Sequence, residues 1–129
     1  MGLSPFAARC VATGAGLMLV AVVLGAFGAH ALAARLPARD LDVFDTAVSY
    51  QQIHALGLIA VGALAREPVP MLLQWSSRLM LTGIVLFSGS LYLIVAGAPR
   101  QLGIVTPVGG LAFIGAWAAL LLHAVRLRR

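Results

Sequence analysis

Charged side chains are scarce in this sequence. Asp, Glu, Lys and Arg make up 10% of its 129 residues, whereas 61% of the residues are hydrophobic. Soluble domains usually carry about 25% charged and roughly 45–50% apolar residues. A water-soluble fold of this composition would expose large apolar patches and aggregate. The composition therefore favours a membrane protein, and the length suits one domain rather than two.

Lysine is absent, and Cys10 is the only cysteine. A single cysteine excludes a disulfide within the chain and a thiolate metal cluster. The nine basic residues are all arginines. They are scattered singly beside apolar runs, apart from Arg126, Arg128 and Arg129 at the C-terminus. This distribution suits lipid headgroups better than a groove of nucleic acid, so we expect a lipid bilayer and no nucleic acid as partner.

Four long apolar runs are separated by short segments rich in charge, proline or glycine. A helix of about 20 apolar residues spans the hydrocarbon core. The first run is longer than the roughly 7–15 residues of the apolar core of a signal peptide, so we favour a retained helix over a cleaved signal peptide. The charged stretch 35–45 is predicted to form a short amphipathic segment at the interface before the second helix. We predict an all-α polytopic membrane protein, a bundle of four transmembrane helices in one integral membrane domain over residues 1–129, with helices at about 8–34, 44–65, 71–96 and 104–126.

The arginines near the ends of the spans indicate an orientation. One side of the bilayer would carry both termini and the 66–70 loop, with Arg9, Arg66, Arg78, Arg126, Arg128 and Arg129. The opposite side would carry Arg35, Arg39 and Arg100. Because arginine is enriched on the cytoplasmic side, we predict a bacterial inner (plasma) membrane protein with both termini in the cytoplasm.

Polar side chains from all four spans are predicted to collect in the outer half of the bundle. Counting ~1.5 Å of rise per residue places His30, Tyr50, Gln51 and Tyr92 about 6–8 Å below the outer surface, and His54 and Ser88 about 12 Å below it. Tyr50 and His54 share a helix face, whereas Gln51 lies about 100° away, at the margin. The predicted ligand-binding cluster comprises His30, Tyr50, Gln51, His54, Ser88, Tyr92 and Thr106.

Several kinds of chemistry have no sequence support. No Asp or Glu lies deep in a span, so the carboxylate that often carries protons through a membrane is missing. Two histidines make a poor zinc site, because zinc uses three or four protein ligands. A Ser–His–carboxylate set and a glycine-rich phosphate loop are also missing. The sequence therefore predicts no catalytic residue, no metal and no cofactor, and an enzyme is not favoured.

Ordered motifs across nearly the whole chain resemble a known family. The chain is similar to the small bacterial membrane proteins grouped as domain-of-unknown-function family 423, and to the animal transmembrane protein 256 group. The resemblance implies a four-helix membrane protein with no assigned activity. The motifs that carry it are GAFGAH at 25–30, YQ at 50–51 with HAL at 54–56, FSGSLY at 87–92, TPVGG at 106–110 and GAW at 115–117.

Three functional hypotheses are consistent with the sequence. The leading one is a protein that binds or passes a small molecule or ion through the outer polar cluster, with Gly109 and Gly110 permitting close approach. The second is a structural or assembly partner of a larger membrane complex, or a homo-oligomer, held through stripes of small residues. The weakest is a redox protein that holds haem between His30 and His54.

Overall fold

The computed structural model describes residues 2–127, and these form four long helices joined by short loops with no β-strand among them. Each helix is long and apolar enough to cross a membrane. The prediction of an all-α, four-span membrane protein is therefore confirmed. The helices are α1 Pro5–Leu32, α2 Ala38–Leu64, α3 Met71–Val95 and α4 Arg100–Arg126.

Three of the four helices begin earlier than the apolar runs suggest, whereas α3 begins at Met71 as predicted. The Ser4 side chain caps α1 by accepting a hydrogen bond of 3.2 Å from the backbone N–H of Ala7, which stabilises the first turn. The second helix was predicted to start near residue 44, but α2 begins at Ala38, directly after Pro37. The predicted amphipathic turns are therefore the first turns of α2 itself. The buried ring of Phe44 packs against Tyr92 on α3, which holds these turns to the bundle.

Close packing joins the helices in chain order. Helix α2 packs along α1 and α3, and α3 packs along α4, whereas α1 meets α3 and α2 meets α4 only slightly within residues 2–127. Two close approaches depend on glycine. A Cβ atom at Gly14 would lie 2.6 Å from the carbonyl oxygen of Ala55, and one at Gly109 would lie 2.4 Å from the backbone nitrogen of Phe87. Gly109 thus brings α4 against α3, and its buried position leaves no room for the ligand that the sequence suggested.

The bundle has two grooves, because α1 makes little contact with α3 and α2 makes little contact with α4. One groove lies between α1 and α3 near the termini, and the other lies between α2 and α4. The apolar core lies between them, where Leu58 and Val61 of α2 meet Leu73 and Met80 of α3. Large apolar side chains such as Leu19, Val23, Leu111 and Leu121 remain exposed on the outside, as expected for surfaces that face lipid.

Two helices contain a π-helical turn in the half remote from the termini. In α1 this turn covers Gly28–Leu32, and in α3 it covers Ile84–Ser88. A π turn carries an extra residue, so it rotates the following side chains by about 100° relative to an uninterrupted α-helix. The side chains of α3 after this turn therefore point in different directions from those expected for an uninterrupted α-helix.

Candidate functional site

Gln51 lies at the centre of the polar layer rather than at its margin. Its side chain is 3% exposed. The amide nitrogen donates to the backbone carbonyl of Leu17 on α1 over 2.8 Å, and the amide oxygen accepts from the hydroxyl of Tyr92 on α3 over 2.9 Å. One side chain thus fastens three helices. The margin assignment was wrong because the buried face of α2 follows Ala47, Gln51 and Leu58, a stripe offset from the Tyr50 face.

The hydroxyl groups of α3 make a second set of interhelical bonds. Ser88 is fully buried and donates to the backbone carbonyl of Ala47 on α2 over 2.8 Å. Ser90 and Thr106 of α4 share a hydrogen bond of 2.7 Å. In the other half of the bundle, Ser76 donates to the Ala116 carbonyl over 2.9 Å. These groups bind one another and the backbone, so they stabilise helix packing. The hydroxyls of Ser88 and Thr106 are engaged in these bonds.

His54 occupies a different setting from Gln51. Its Nδ1 lies 2.7 Å from the backbone carbonyl of Tyr50, one turn earlier in α2. A carbonyl only accepts, so Nδ1 must carry a proton, and in the neutral ring Nε2 then presents a lone pair. The imidazole stacks on Phe113 of α4, with ring centroids 3.4 Å apart and planes 12° apart. Trp117 lies near the same ring, at a centroid distance of 5.9 Å.

Aromatic rings line the space between α2 and α4. Tyr50 stacks on Phe87 of α3 at 4.4 Å, and Phe87 contacts Phe113 at 5.6 Å. Tyr50 and His54 are one turn apart on α2, and Phe113 and Trp117 are one turn apart on α4, so each pair projects from one face of its helix. Phe87, Phe113 and Trp117 were not among the predicted site residues. The signal was this pair of aromatic residues at four-residue spacing on each of two helices.

These rings form the wall of a cleft of about 820 Å³ between α2 and α4. The volume falls within the range of ligand pockets. Leu111 and Ile114 line it too and are 68% and 67% exposed, so the cleft opens sideways toward lipid. His54 lies 16 residues after the start of α2, which places it about 24 Å along that helix. This position is near the middle of the bilayer that the helix would span. We call this space the aromatic cleft.

Three polar atoms at the aromatic cleft have no partner within residues 2–127. They are Nε2 of His54, the Tyr50 hydroxyl and Nε1 of Trp117, none of which forms a side-chain hydrogen bond there. No enclosed side-chain nitrogen or oxygen of the described chain lacks a partner. Since Nε2 of His54 has no partner among the described residues, it is not enclosed, and a ligand can contact it. Tyr50 and Trp117 are each 41% exposed.

The remaining predicted residue, His30, lies apart from the others. It sits in the π turn of α1 and is exposed, whereas His54 is buried and stacked on α4. The two imidazoles do not face one slot, so these residues do not fit a haem held between them. Within residues 2–127, no group of three or more His, Cys, Asp or Glu side chains is placed to hold a metal ion.

The fold and the buried polar layer define a four-helix integral membrane protein. The sequence profile described as "Protein of unknown function (DUF423)" matches residues 24–110. The chain belongs to this family.

Its relatives span most of the chain. It is 45% identical over 109 residues to the membrane protein YwdK of Bacillus subtilis, covering 84% of this chain and 89% of that protein. It is 39% identical over 108 residues to the inner membrane protein YgdD of Escherichia coli, covering 84% and 82% of the two chains. A Staphylococcus haemolyticus membrane protein is 39% identical over 113 residues, covering 88% and 92%. No solved structure matches the chain.

Proposed function

We propose that this protein binds a lipophilic molecule with a flat ring that enters the aromatic cleft from the bilayer. The observation that carries the proposal is the combination of stacked aromatic walls with three hydrogen-bonding atoms that have no protein partner. Lipid tails offer no hydrogen bonds, so unpartnered polar atoms at mid-membrane depth favour a ligand that supplies them.

The chemistry of the cleft selects a ring with oxygen substituents. The Nε2 lone pair of His54 accepts from a hydroxyl, whereas the Tyr50 hydroxyl and the Trp117 N–H donate to a carbonyl. Flat rings stack on aromatic side chains at distances like those between the cleft's own rings. The carbonyls of a quinone can accept from Tyr50 and Trp117, and the hydroxyls of the corresponding quinol can donate to His54. An apolar tail on either form could follow the exposed side chains of Leu111 and Ile114 into the lipid.

Binding is proposed rather than passage of an ion. A path for ions needs polar groups free to replace the hydration shell. Gln51, Tyr92 and Ser88 instead use their side chains to join helices. The aromatic cleft has a single buried polar side chain, His54, and its walls are otherwise mostly apolar.

The chain's two tryptophans allow a direct test. Trp75→Phe leaves Trp117 as the only reporter at the cleft, and Trp117→Phe leaves Trp75 outside it. In vesicles titrated with a decyl-substituted benzoquinone, Trp117 fluorescence should be quenched saturably at a low mole fraction of quinone. Trp75 fluorescence should fall only in proportion to the total quinone, because it meets quinone by collision.

Decyl alcohol, which has the tail without the ring, serves as the competitor. It should not relieve the quenching of Trp117 at matched membrane content. Equal, unsaturable quenching of both tryptophans, or displacement by decyl alcohol, would show that the cleft holds only acyl chains and would overturn the proposal.

We also propose that both termini face the cytoplasm of a bacterial inner membrane. The arginines on the terminal side of the bundle support this orientation, since Arg9, Arg66, Arg78 and Arg126 all belong to that side. A fluorescent protein fused to the C-terminus should fluoresce in the cytoplasm, while alkaline phosphatase fused there should be inactive. Active phosphatase at the C-terminus would reverse the assignment.

A further inference from the structure

The groove between α1 and α3 combines positive charge with an apolar wall. Its volume is about 320 Å³, and it is lined by Arg9 and Thr13 of α1, Leu58 of α2, and Ser77, Arg78 and Leu81 of α3. This volume is at the lower end of ligand pockets, which suits a headgroup better than a whole lipid. The proposed function uses none of these residues.

Neither arginine of this groove has a carboxylate partner within residues 2–127. The only ion pair within residues 2–127 joins Arg100 to Asp40, near the opposite side of the bundle. Three of the four carboxylates of the chain, those of Asp40, Asp42 and Asp45, lie in the first turns of α2 on that side. No carboxylate among the residues that the structure describes neutralises either guanidinium, so the groove favours an anion.

The groups next to the two arginines, and the distance of the arginines from the helix ends, favour a ligand at the level of the lipid headgroups. The guanidinium of Arg78 lies over the ring of Trp75, 5.7 Å from its centroid, which restricts its position. The Thr13 hydroxyl makes no side-chain hydrogen bond within residues 2–127, so it is free to donate. Arg9 and Arg78 lie about 6 Å and 10 Å from the ends of their helices at ~1.5 Å per residue. That is close to the depth at which phospholipid phosphates meet the acyl chains.

From this arrangement we infer that the α1–α3 groove binds the phosphate of an anionic phospholipid, held between Arg9 and Arg78 with Thr13 as a third donor. Arginine binds phosphate through paired N–H groups, and the apolar residues Leu58 and Leu81 provide a surface for the first part of an acyl chain. Because an apolar wall lies beside the two arginines, the groove favours a lipid over a free phosphate compound. This site is independent of the aromatic cleft.

Lipid binding to the purified full chain tests this inference. The detergent-solubilised protein is titrated with phosphatidylglycerol or with phosphatidylcholine of the same acyl chains, and bound lipid is counted by native mass spectrometry. We expect at least tenfold preference for phosphatidylglycerol. Arg9→Gln and Arg78→Gln should each weaken it about fivefold, the effect of one arginine near an anionic surface.

Arg126→Gln is the matched control, because it removes one positive charge from the same side of the bundle outside the groove. It should change binding by less than twofold. If an arginine variant fails to fold, Leu81→Trp fills the groove from the lipid-facing side and should displace phosphatidylglycerol. Equal losses in Arg9→Gln and Arg126→Gln would indicate general surface attraction and overturn the site.

Two further outcomes would also overturn it. Equal retention of phosphatidylcholine, in which the cationic choline offsets the charge of the same phosphate, would show that the groove does not select anionic lipids. Displacement of phosphatidylglycerol by millimolar glycerol phosphate would show that the groove takes a soluble phosphate compound rather than a lipid.

Discussion

Two polar side chains of α2 stand three residues apart and have opposite relations to the rest of the protein. Gln51 uses both ends of its amide, toward Leu17 and Tyr92, and joins three helices. His54 uses one ring nitrogen, toward a carbonyl of its own helix, and leaves the other at the aromatic cleft. In a membrane, a side chain whose partners are all inside the protein stabilises the fold, whereas one with a free atom is available to a ligand.

The largest effect on stability is expected at Gln51. In Gln51→Leu both interhelical bonds are lost, and the Tyr92 hydroxyl and Leu17 carbonyl lose their partner. The free energy of unfolding should fall by about 2 kcal/mol, since membrane interhelical bonds contribute about 0.6 kcal/mol each and an unsatisfied buried group costs about 1–3 kcal/mol. Reversible unfolding in mixed micelles measures this change.

Gln52 provides the control for that measurement, because it is chemically identical, adjacent and less buried, and its amide joins no helices within residues 2–127. Gln52→Leu should alter stability by less than about 0.5 kcal/mol. Equal losses of stability in the two variants would show that the interhelical bonds of Gln51 do not stabilise the fold.

A smaller effect on stability is expected at His54. His54→Phe keeps the ring stacked on Phe113 and loses one bond within α2, so the free energy of unfolding should change by no more than about 1 kcal/mol. A quinone cannot donate to Nε2, but a hydroquinone hydroxyl can. In the Trp75→Phe background, the same substitution should therefore raise about fivefold, the value of one hydrogen bond, the concentration of decyl-substituted hydroquinone that displaces the benzoquinone and restores Trp117 fluorescence.

That pattern would separate a binding residue from a structural one. A loss of stability as large as that of Gln51→Leu, together with unchanged displacement by the hydroquinone, would place His54 among the groups that hold the helices together. Tyr50→Phe removes only a hydroxyl that donates to a quinone carbonyl, so it should raise the benzoquinone concentration for half-quenching of Trp117 and leave stability unchanged.

The smallest effect is expected at the exposed ion pair of Asp40 and Arg100, which joins the starts of α2 and α4 over 3.2 Å. Arg100 is 60% exposed there, and exposed pairs contribute about 0.2–1 kcal/mol. Asp40→Asn should therefore lower the free energy of unfolding by no more than about 0.5 kcal/mol, and high salt should abolish the difference. A larger effect, insensitive to salt, would mean that the α2–α4 contact depends on this pair.

The four spans followed from the sequence because runs of about 20 apolar residues have few alternatives to crossing a bilayer. The joining of polar side chains from several helices followed as well, since Gln51, Ser88 and Tyr92 do meet other helices. Which face of α2 is buried did not follow. Thr46, Tyr50 and His54 form a polar stripe in the sequence, yet Thr46 and Tyr50 are exposed and Gln51 is buried.

The aromatic cleft could not be derived from helix periods alone. It exists because α2 and α4 make little contact and α3 fills the floor between them with Phe87. That depends on the order in which the helices pack, which the chain's hydrophobic pattern does not specify. The π turn Ile84–Ser88 adds to the difficulty, because it changes the phase of α3 between Ser88 and the residues before the turn.

The sideways opening of the aromatic cleft has a consequence for how its occupancy is controlled. With Leu111 and Ile114 at its mouth, a guest would arrive by diffusion within the plane of the bilayer and leave by the same route. Its saturation would then follow the number of guest molecules per lipid, not the amount dissolved in water. Adding plain lipid to the membrane would empty the cleft, whereas diluting the same vesicles in buffer would leave it filled.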